Sequence, residues 1–309
     1  MAENFLLIVQ QVFVLLLLIV VGFLCGKKKI ITDKGSKQMT DIVLYVVTPC
    51  VMISAFQRDF SFELLGNVLI CALCAGLIMA GSILIATAVF RKKEKGINEV
   101  MRFAVIFSNC GFMSLPLQKA ILGDDGWFYG SIFVAMFNIV SWTYGLVLMS
   151  GDKKELSIKR LAFNPGLVGV TIALILFICG IKLPDIVFQP IEYLSNLNTP
   201  IPMLIIGFYL SQANLKKAFT DLNAYATMGL RLIVIPLLAL FVMSLCKVDP
   251  TITVACVIAS SAPTAATTTM FSAKFNRNVE LSVSIVAATT LISIISMPVI
   301  IALSQSIMG

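Results

Sequence analysis

The sequence predicts an all-α membrane protein with ten transmembrane helices, arranged as two inverted five-helix repeats whose fourth and ninth helices are broken crossover helices. Three observations lead there. Of the 309 residues, 59% are hydrophobic and only 13% are charged, with a mean hydropathy of +0.97, which no water-exposed surface tolerates. Apolar stretches long enough to cross the roughly 30 Å hydrocarbon layer recur along nearly the whole chain. The basic residues between them alternate in density, as they do when cytosolic loops carry the excess of Lys and Arg.

The first stretch, about 5–26, lacks a basic leader and a small-residue cleavage site, so it reads as a true first helix and not as a signal peptide. The others follow at about 39–56, 64–90, 98–120, 127–149, 163–181, 190–212, 222–246, 252–273 and 279–307, each bounded by charges, Gly or Pro. Alternate loops hold Lys27, Lys28, Lys29, Lys34 and Lys37; Arg91, Lys92, Lys93, Lys95 and Arg102; Lys153, Lys154, Lys159 and Arg160; Lys216, Lys217 and Arg231; and Lys274 and Arg277. The intervening loops hold only Arg58, Lys119, Lys182 and Lys247. This asymmetry places both termini outside a cell membrane, inner or plasma, and explains the net charge of +7 without a nucleic-acid partner. Ten spans divide into two halves of five, and an odd number per half forces opposite orientations, an architecture frequent among transporters.

The eight cysteines lie in or beside apolar segments, where Cys behaves as a small hydrophobe. Cys71 and Cys74 form a CxxC, but no second pair and no histidine accompany it, so neither a metal site nor a cofactor is expected. No phosphate-cradling Gly-rich loop ending in Lys-Ser or Lys-Thr occurs. No carboxylate falls at mid-span, which argues against an acid-pair proton relay and against an intramembrane aspartyl protease. An enzyme is not expected.

The informative residues are the helix breakers. Stretch 4 contains SNCGFMSLPL, with Asn109, Gly111 and Pro116, and stretch 9 contains ASSAPTAATTT, with Pro263. Proline removes a donor and clashes with the preceding turn, and glycine lowers helix propensity. A proline kink alone is commonplace, as at Pro49, Pro236 and Pro298. Breaks in the corresponding helix of both halves are different: they would meet near the midplane and aim two helix N-termini at one point, which favours an anion. Asn109, Ser260, Ser261 and Thr264 are expected to add uncharged donors for a carboxylate. Arg231, about 9 residues into stretch 8, reads either as a cation snorkelling to the cytosolic headgroups or as an attractor of substrate to the inner vestibule. Asn138 and Gln212 are further intramembrane amides that either bond a neighbouring helix or serve the site.

At these residues the chain resembles the auxin efflux carrier family, which includes plant auxin exporters and bacterial permeases proposed for malate, malonate and related acids. NCGFMSLPL is similar to that family's fourth-helix pattern, LYVVTPCVMISAF to its second helix, FNPGLVGVTIALILFICGIKLP to the start of its second half, TPIPMLIIGFYLS to its seventh helix and ASSAPTAATTTMFSAKF to its ninth. The resemblance spans essentially the whole chain, and the short loop between the halves resembles prokaryotic members. It implies a scaffold of helices 1–2 (residues 1–62) and 6–7 (161–213), and a transport domain of helices 3–5 (63–150) and 8–10 (220–309) that moves past it like an elevator. It implies substrate binding by Asn109, Gly111, Phe112, Pro116, Asn138, Ser260, Ser261, Pro263 and Thr264, with Thr48, Pro49 and Pro202 supporting from the scaffold side. Asn109 matches the family's substrate-contacting asparagine; where the family has a second one near the ninth-helix break, this chain has Ser260 and Ser261. The expected activity is secondary active or facilitative transport of a small organic anion, a carboxylate or dicarboxylate, with sodium or proton as coupling ion and a homodimer formed through the scaffold. The alternatives are a sodium-coupled organic anion symporter of the bile-acid-transporter-like type and, from a different class, a membrane receptor or scaffold.

Overall fold

A computed structural model describes residues 2–156, 163–212 and 222–308. The expected basic residues Lys159, Arg160, Lys216 and Lys217 lie outside the described residues. The chain is α1 (Ala2–Lys27), α2 (Asp33–Ala55), α3 (Phe62–Phe90), α4 (Ile97–Ile106), α5 (Cys110–Ser150), α6 (Pro165–Ile178), α7 (Asp185–Asn196), α8 (Pro200–Gln212), α9 (Ala224–Leu245), α10 (Pro250–Ser261), α11 (Thr267–Lys274) and α12 (Val279–Met308). Among the described residues there is no strand; the only extended pairing is an isolated bridge between Ser108 and Thr264. Among the described residues, six helical stretches are long and apolar enough to span a bilayer: Ile8–Lys27, Asp33–Ala55, Phe62–Phe90, Cys110–Ser150, Ala224–Leu245 and Val279–Met308. Pro165–Ile178 and Pro250–Ser261 are shorter apolar helices.

Helix starts follow local capping chemistry. Ser61 caps α3 by accepting from the Leu64 N–H, Asn164 caps α6 by accepting from Leu167, and Asp249 caps α10 by accepting from Thr251 and Ile252. Gly123, at φ 62° and ψ −139°, turns α5 back on itself. Residues 110–122 form its first arm and residues 124–150 its second. The arms are antiparallel, because a Cβ on Gly126 would meet the Gln118 carbonyl and one on Gly111 would touch Val134.

One expectation needs correction. The stretch 190–212 is not a continuous helix: it breaks at residues 197–199, between α7 and α8. Pro200 and Pro202 have no N–H to offer the carbonyls a turn earlier, and the residue before a proline is pushed out of the α region. The chain therefore tightens through i→i+3 bonds from Leu197 to Leu194 and from Asn198 to Ser195.

Packing turns a soluble protein's logic outward. Leu69, Leu73, Leu77 and Leu84 are exposed along α3, and Leu238, Phe241 and Leu245 along α9, whereas small hydroxyl side chains such as Ser82, Ser131, Thr253 and Ser293 are buried. An apolar rim around a polar-containing interior suits lipid as solvent. Charged groups collect at the two ends. At one end Arg58 pairs with Asp125 at 2.8 Å and Lys182 with Asp59 at 2.6 Å, and the Leu183 N–H donates to Gln57 Oε1. At the other end Arg277 pairs with Glu99 and donates to the Met149 carbonyl, and Gln212 donates to Asp33 at 3.0 Å.

Two helix crossings are close enough to require glycine. On α8, a Cβ at Gly207 would lie 2.0 Å from the Ile19 carbonyl oxygen of α1; on α6, one at Gly169 would lie 2.6 Å from the Pro49 Cα of α2. Gly207→Ala should therefore force α1 and α8 apart and destabilise the protein by about 1–3 kcal/mol. Gly66→Ala, where the added Cβ meets nothing within 4 Å, should leave thermal unfolding in detergent unchanged or slightly raised. Equal midpoints for the two variants would contradict the close crossing.

Candidate functional site

The site is built from backbone that two helices release. α4 stops at Ile106, where Phe107 turns extended at φ −101° and ψ 105°. α10 stops at Ser261, where Ala262 turns extended at φ −61° and ψ 150° ahead of Pro263. The two extended segments pair in antiparallel fashion: the Asn109 N–H donates to the Pro263 carbonyl at 2.7 Å, and the Ala265 N–H donates to the Phe107 carbonyl at 2.9 Å.

Groups that this pairing leaves over find partners on neighbouring helices. The Thr264 N–H donates to Thr289 Oγ1 of α12 at 3.2 Å, and the Thr264 hydroxyl donates to the Ala104 carbonyl at 3.0 Å. The Arg231 guanidinium of α9 donates to the carbonyls of Val105 at 2.7 Å and Ile106 at 3.4 Å through one nitrogen, and to that of Ser260 through the other. Past the crossover the chain resumes as helix, first through a widened turn at Cys110–Ser114 and then, on the other strand, at Thr267. The first N–H groups of a helix have no partner one turn back within it; here those of Thr268 and Thr269 bond the carbonyls of Ala265 and Ala266, and that of Met113 bonds the Asn109 carbonyl.

The sequence-predicted residues divide by what they do in this geometry. Asn109, Pro263 and Thr264 meet in the paired segments. Asn109 is buried, yet its side-chain amide makes no hydrogen bond among the described residues. Gly111 is adjacent, and its carbonyl accepts from Asn198 at 2.8 Å. Phe112 packs, half-buried, on the core that α5 shares with α1, α8 and α12. Pro116 lines a cleft of about 230 Å³ between α1, the first arm of α5 and α7, whose walls include Gln11, Lys119, Trp127, Asn196 and Thr199.

Ser260, Ser261 and Thr264 have acceptors within the protein. Each hydroxyl has one proton, and each gives it to a backbone carbonyl: Val257, Ile258 and Ala104 respectively. They retain lone pairs and can accept, but they have no donor left for a carboxylate. Asn138 follows Phe137, whose ring packs edge-on against Phe107 of the first segment at 5.6 Å. It donates to the Val134 carbonyl of its own helix and sits over Gly166 at the start of α6. Of the supporting residues, Thr48 bonds the Val43 carbonyl in a widened turn, Pro49 forms the close crossing with Gly169, and Pro202 is buried in α8.

Arg231 neither snorkels nor faces a vestibule: it is 1% exposed and bound to three carbonyls. Sequence reasoning also missed Asn198, Gln118 and Thr289. Gln118 is fully buried and ties the first arm of α5 to the Ala255 carbonyl of α10 at 3.1 Å. Asn198 carried a signal in the pattern Asn196-Leu197-Asn198-Thr199-Pro200, an amide beside a helix-stopping proline. Among the described residues, no group of three or more His, Cys, Asp or Glu side chains is placed to hold a metal ion.

Thr264→Val should orphan the Ala104 carbonyl and cost about 1–3 kcal/mol. Thr171→Val, which removes an exposed hydroxyl bonded to its own helix, should cost under about 0.5 kcal/mol. Thermal unfolding in detergent compares them, and a Thr264→Val protein as stable as Thr171→Val would contradict the assigned bond.

Comparison with known proteins relates the chain to membrane transporters. Residues 7–301 match the family described as Membrane transport protein. Two archaeal relatives are similar over nearly their whole length. An uncharacterized transporter of Methanocaldococcus jannaschii is 23% identical over 297 residues, covering 92% of this chain and 94% of the relative. An uncharacterized transporter of Methanothermobacter thermautotrophicus is 23% identical over 295 residues, covering 94% and 96%. With apolar helices that suit lipid and a match over almost the entire chain, the protein is a multi-pass membrane transporter that belongs to the auxin efflux carrier-like membrane transport protein family.

Proposed function

We propose that the protein is a secondary carrier for a small organic anion, a carboxylate or dicarboxylate, which binds where the two broken helices cross. The observation that carries the proposal is the paired crossover itself. Two helices restart from the bonded segments, and Asn109, buried, stands at the start of one of them. Oriented N–H groups and helix N-termini stabilise an anion without carrying charge that would hold it permanently.

In this reading the chain crosses a cell membrane ten times as two inverted halves, with both termini outside. Residues 1–62 and 161–213 form the scaffold, through which a homodimer assembles, and residues 63–150 and 220–309 form the transport domain. Two features support elevator-like movement. The glycine-tight crossings of α1 with α8 and of α2 with α6 suit a rigid frame. The crossover is tied across four helices, so it moves as a body.

A second reading, anion symport with sodium, draws support from Ser260, Ser261 and Thr264. Their protons are spent on carbonyls, so their oxygens are left as acceptors, the chemistry of a hard cation's ligands.

The test is ligand affinity on purified protein. Asn109→Ala should weaken binding of a stabilising carboxylate by about 10-fold to 150-fold, the loss of one charge-assisted hydrogen bond. Pro263→Ala should also weaken it by letting the helix continue through the break. Cys179→Ala, at the exposed end of α6, should bind normally. Unchanged affinity in the first two variants, with folding confirmed, would place the substrate elsewhere.

A further inference from the structure

We infer that Arg231 sets the sign of the ligand that the crossover accepts, acting as a positioning residue through the helix ends and not by touching the ligand. The inference rests on the reading of the crossover as the ligand site.

Four helix ends meet there. α4 and α10 arrive with their C-termini, each equivalent to about −0.5 charge, while α5 and α11 leave with their N-termini, each about +0.5. Alone, these four ends sum to roughly zero. The two N-termini then favour an anion only at close range, and the two C-termini offset much of that preference.

Arg231 breaks the balance. Its partners are the last carbonyls of the two arriving helices, Val105 and Ile106 on α4 and Ser260 on α10, and none belongs to a departing helix. A guanidinium stays protonated in proteins, and among the described residues it forms no ion pair. Its one positive charge therefore offsets the two negative ends and leaves the two positive ends unopposed, on the side where Asn109 sits. Its Nε is buried without a hydrogen-bond partner, so the charge is not fully spent on the carbonyls. The side chain is delivered by the widened turn Leu230–Val234, just ahead of Pro236, a local geometry that recurs at functional positions.

The expected size follows from distance. Asn109 lies three residues beyond Ile106, and at φ −77° and ψ 49° it is not extended, so the separation is at most about 10 Å. A unit charge at that range, with an effective dielectric near 20, changes anion affinity roughly 10-fold to 20-fold. Because Arg231 is 1% exposed, dissolved salt screens this effect far less than it screens surface lysines.

The experiment compares a charged probe with its neutral isostere, malonate with malonamide and succinate with succinamide, on purified protein in nanodiscs. The wild type should prefer the dianion, and the preference should persist from about 50 mM to about 500 mM NaCl. Arg231→Lys, which keeps the charge and loses part of the bonding, should retain the preference. Arg231→Gln should lose at least about 10-fold to 20-fold in dianion affinity with diamide affinity unchanged. Equal losses for both probes in both variants would make Arg231 a clamp only and overturn the inference. A wild-type preference that collapses with salt would assign selectivity to surface lysines and overturn it without any variant having to fold. Asn109→Ala separates this from the site itself. If dianion affinity falls there but survives in Arg231→Gln, only the inference fails. If it survives in Asn109→Ala, or no dianion binds the wild type, the crossover reading fails and the inference with it.

Discussion

Inside a bilayer no water is available to bond a freed N–H or C=O, and each unpaired group costs several kcal/mol. A helix that breaks at membrane depth must therefore find new partners for everything that it releases. In this protein two helices break, and each supplies much of what the other needs. The segments 107–109 and 263–265 exchange two hydrogen bonds, Thr264 and Thr289 take up the adjacent groups, and Arg231 covers the last carbonyls of both arriving helices. Neither break is tenable without the other. The segments 107–109 and 263–265 are thereby locked in register.

The same constraint bears on the movement proposed above. A crossover whose bonds run between α4, α9, α10 and α12 cannot loosen piecemeal without exposing unpaired backbone to lipid, so change is directed to surfaces where helices meet through side chains. Such surfaces exist. The cleft between α1, α7 and the first arm of α5 is one, and Asn198 reaches from the break between α7 and α8 to make a direct bond to the Gly111 carbonyl on that side. The glycine-tight contact of α1 with α8 is of the other kind, with backbone against backbone and no room for sliding side chains.

Much of this was legible in the residues. Composition and the apolar stretches read correctly as an all-helical membrane protein. Pro263, and Asn109 with Gly111, marked the two breaks because proline and glycine act through the backbone, which sequence reports directly. What the sequence hid depends on where a side chain points. The spacing of Arg231 within its stretch gives a depth but not a direction, and the direction turns it from a surface cation into a partner of three carbonyls. Ser260, Ser261 and Thr264 look like donors in any list of residues, yet nearby carbonyls consume their protons. The break at 197–199 was missed because Pro200 and Pro202 sit in an otherwise apolar run that reads as one helix. Asn138 belongs to the contact with α6, since Gly166 opens a place for it there.

The account stands on one claim, that the paired breaks form a single anion site. A structure determined with a bound dicarboxylate, chosen as the one that most raises the thermal midpoint, tests it most directly. The account predicts carboxylate density within hydrogen-bond reach of the Asn109 amide and the N–H groups of residues 110–112, with the Phe107–Ala265 and Asn109–Pro263 bonds intact. Density confined to the cleft beside Lys119 and Trp127, or a ligand that separates the two extended segments, would contradict it.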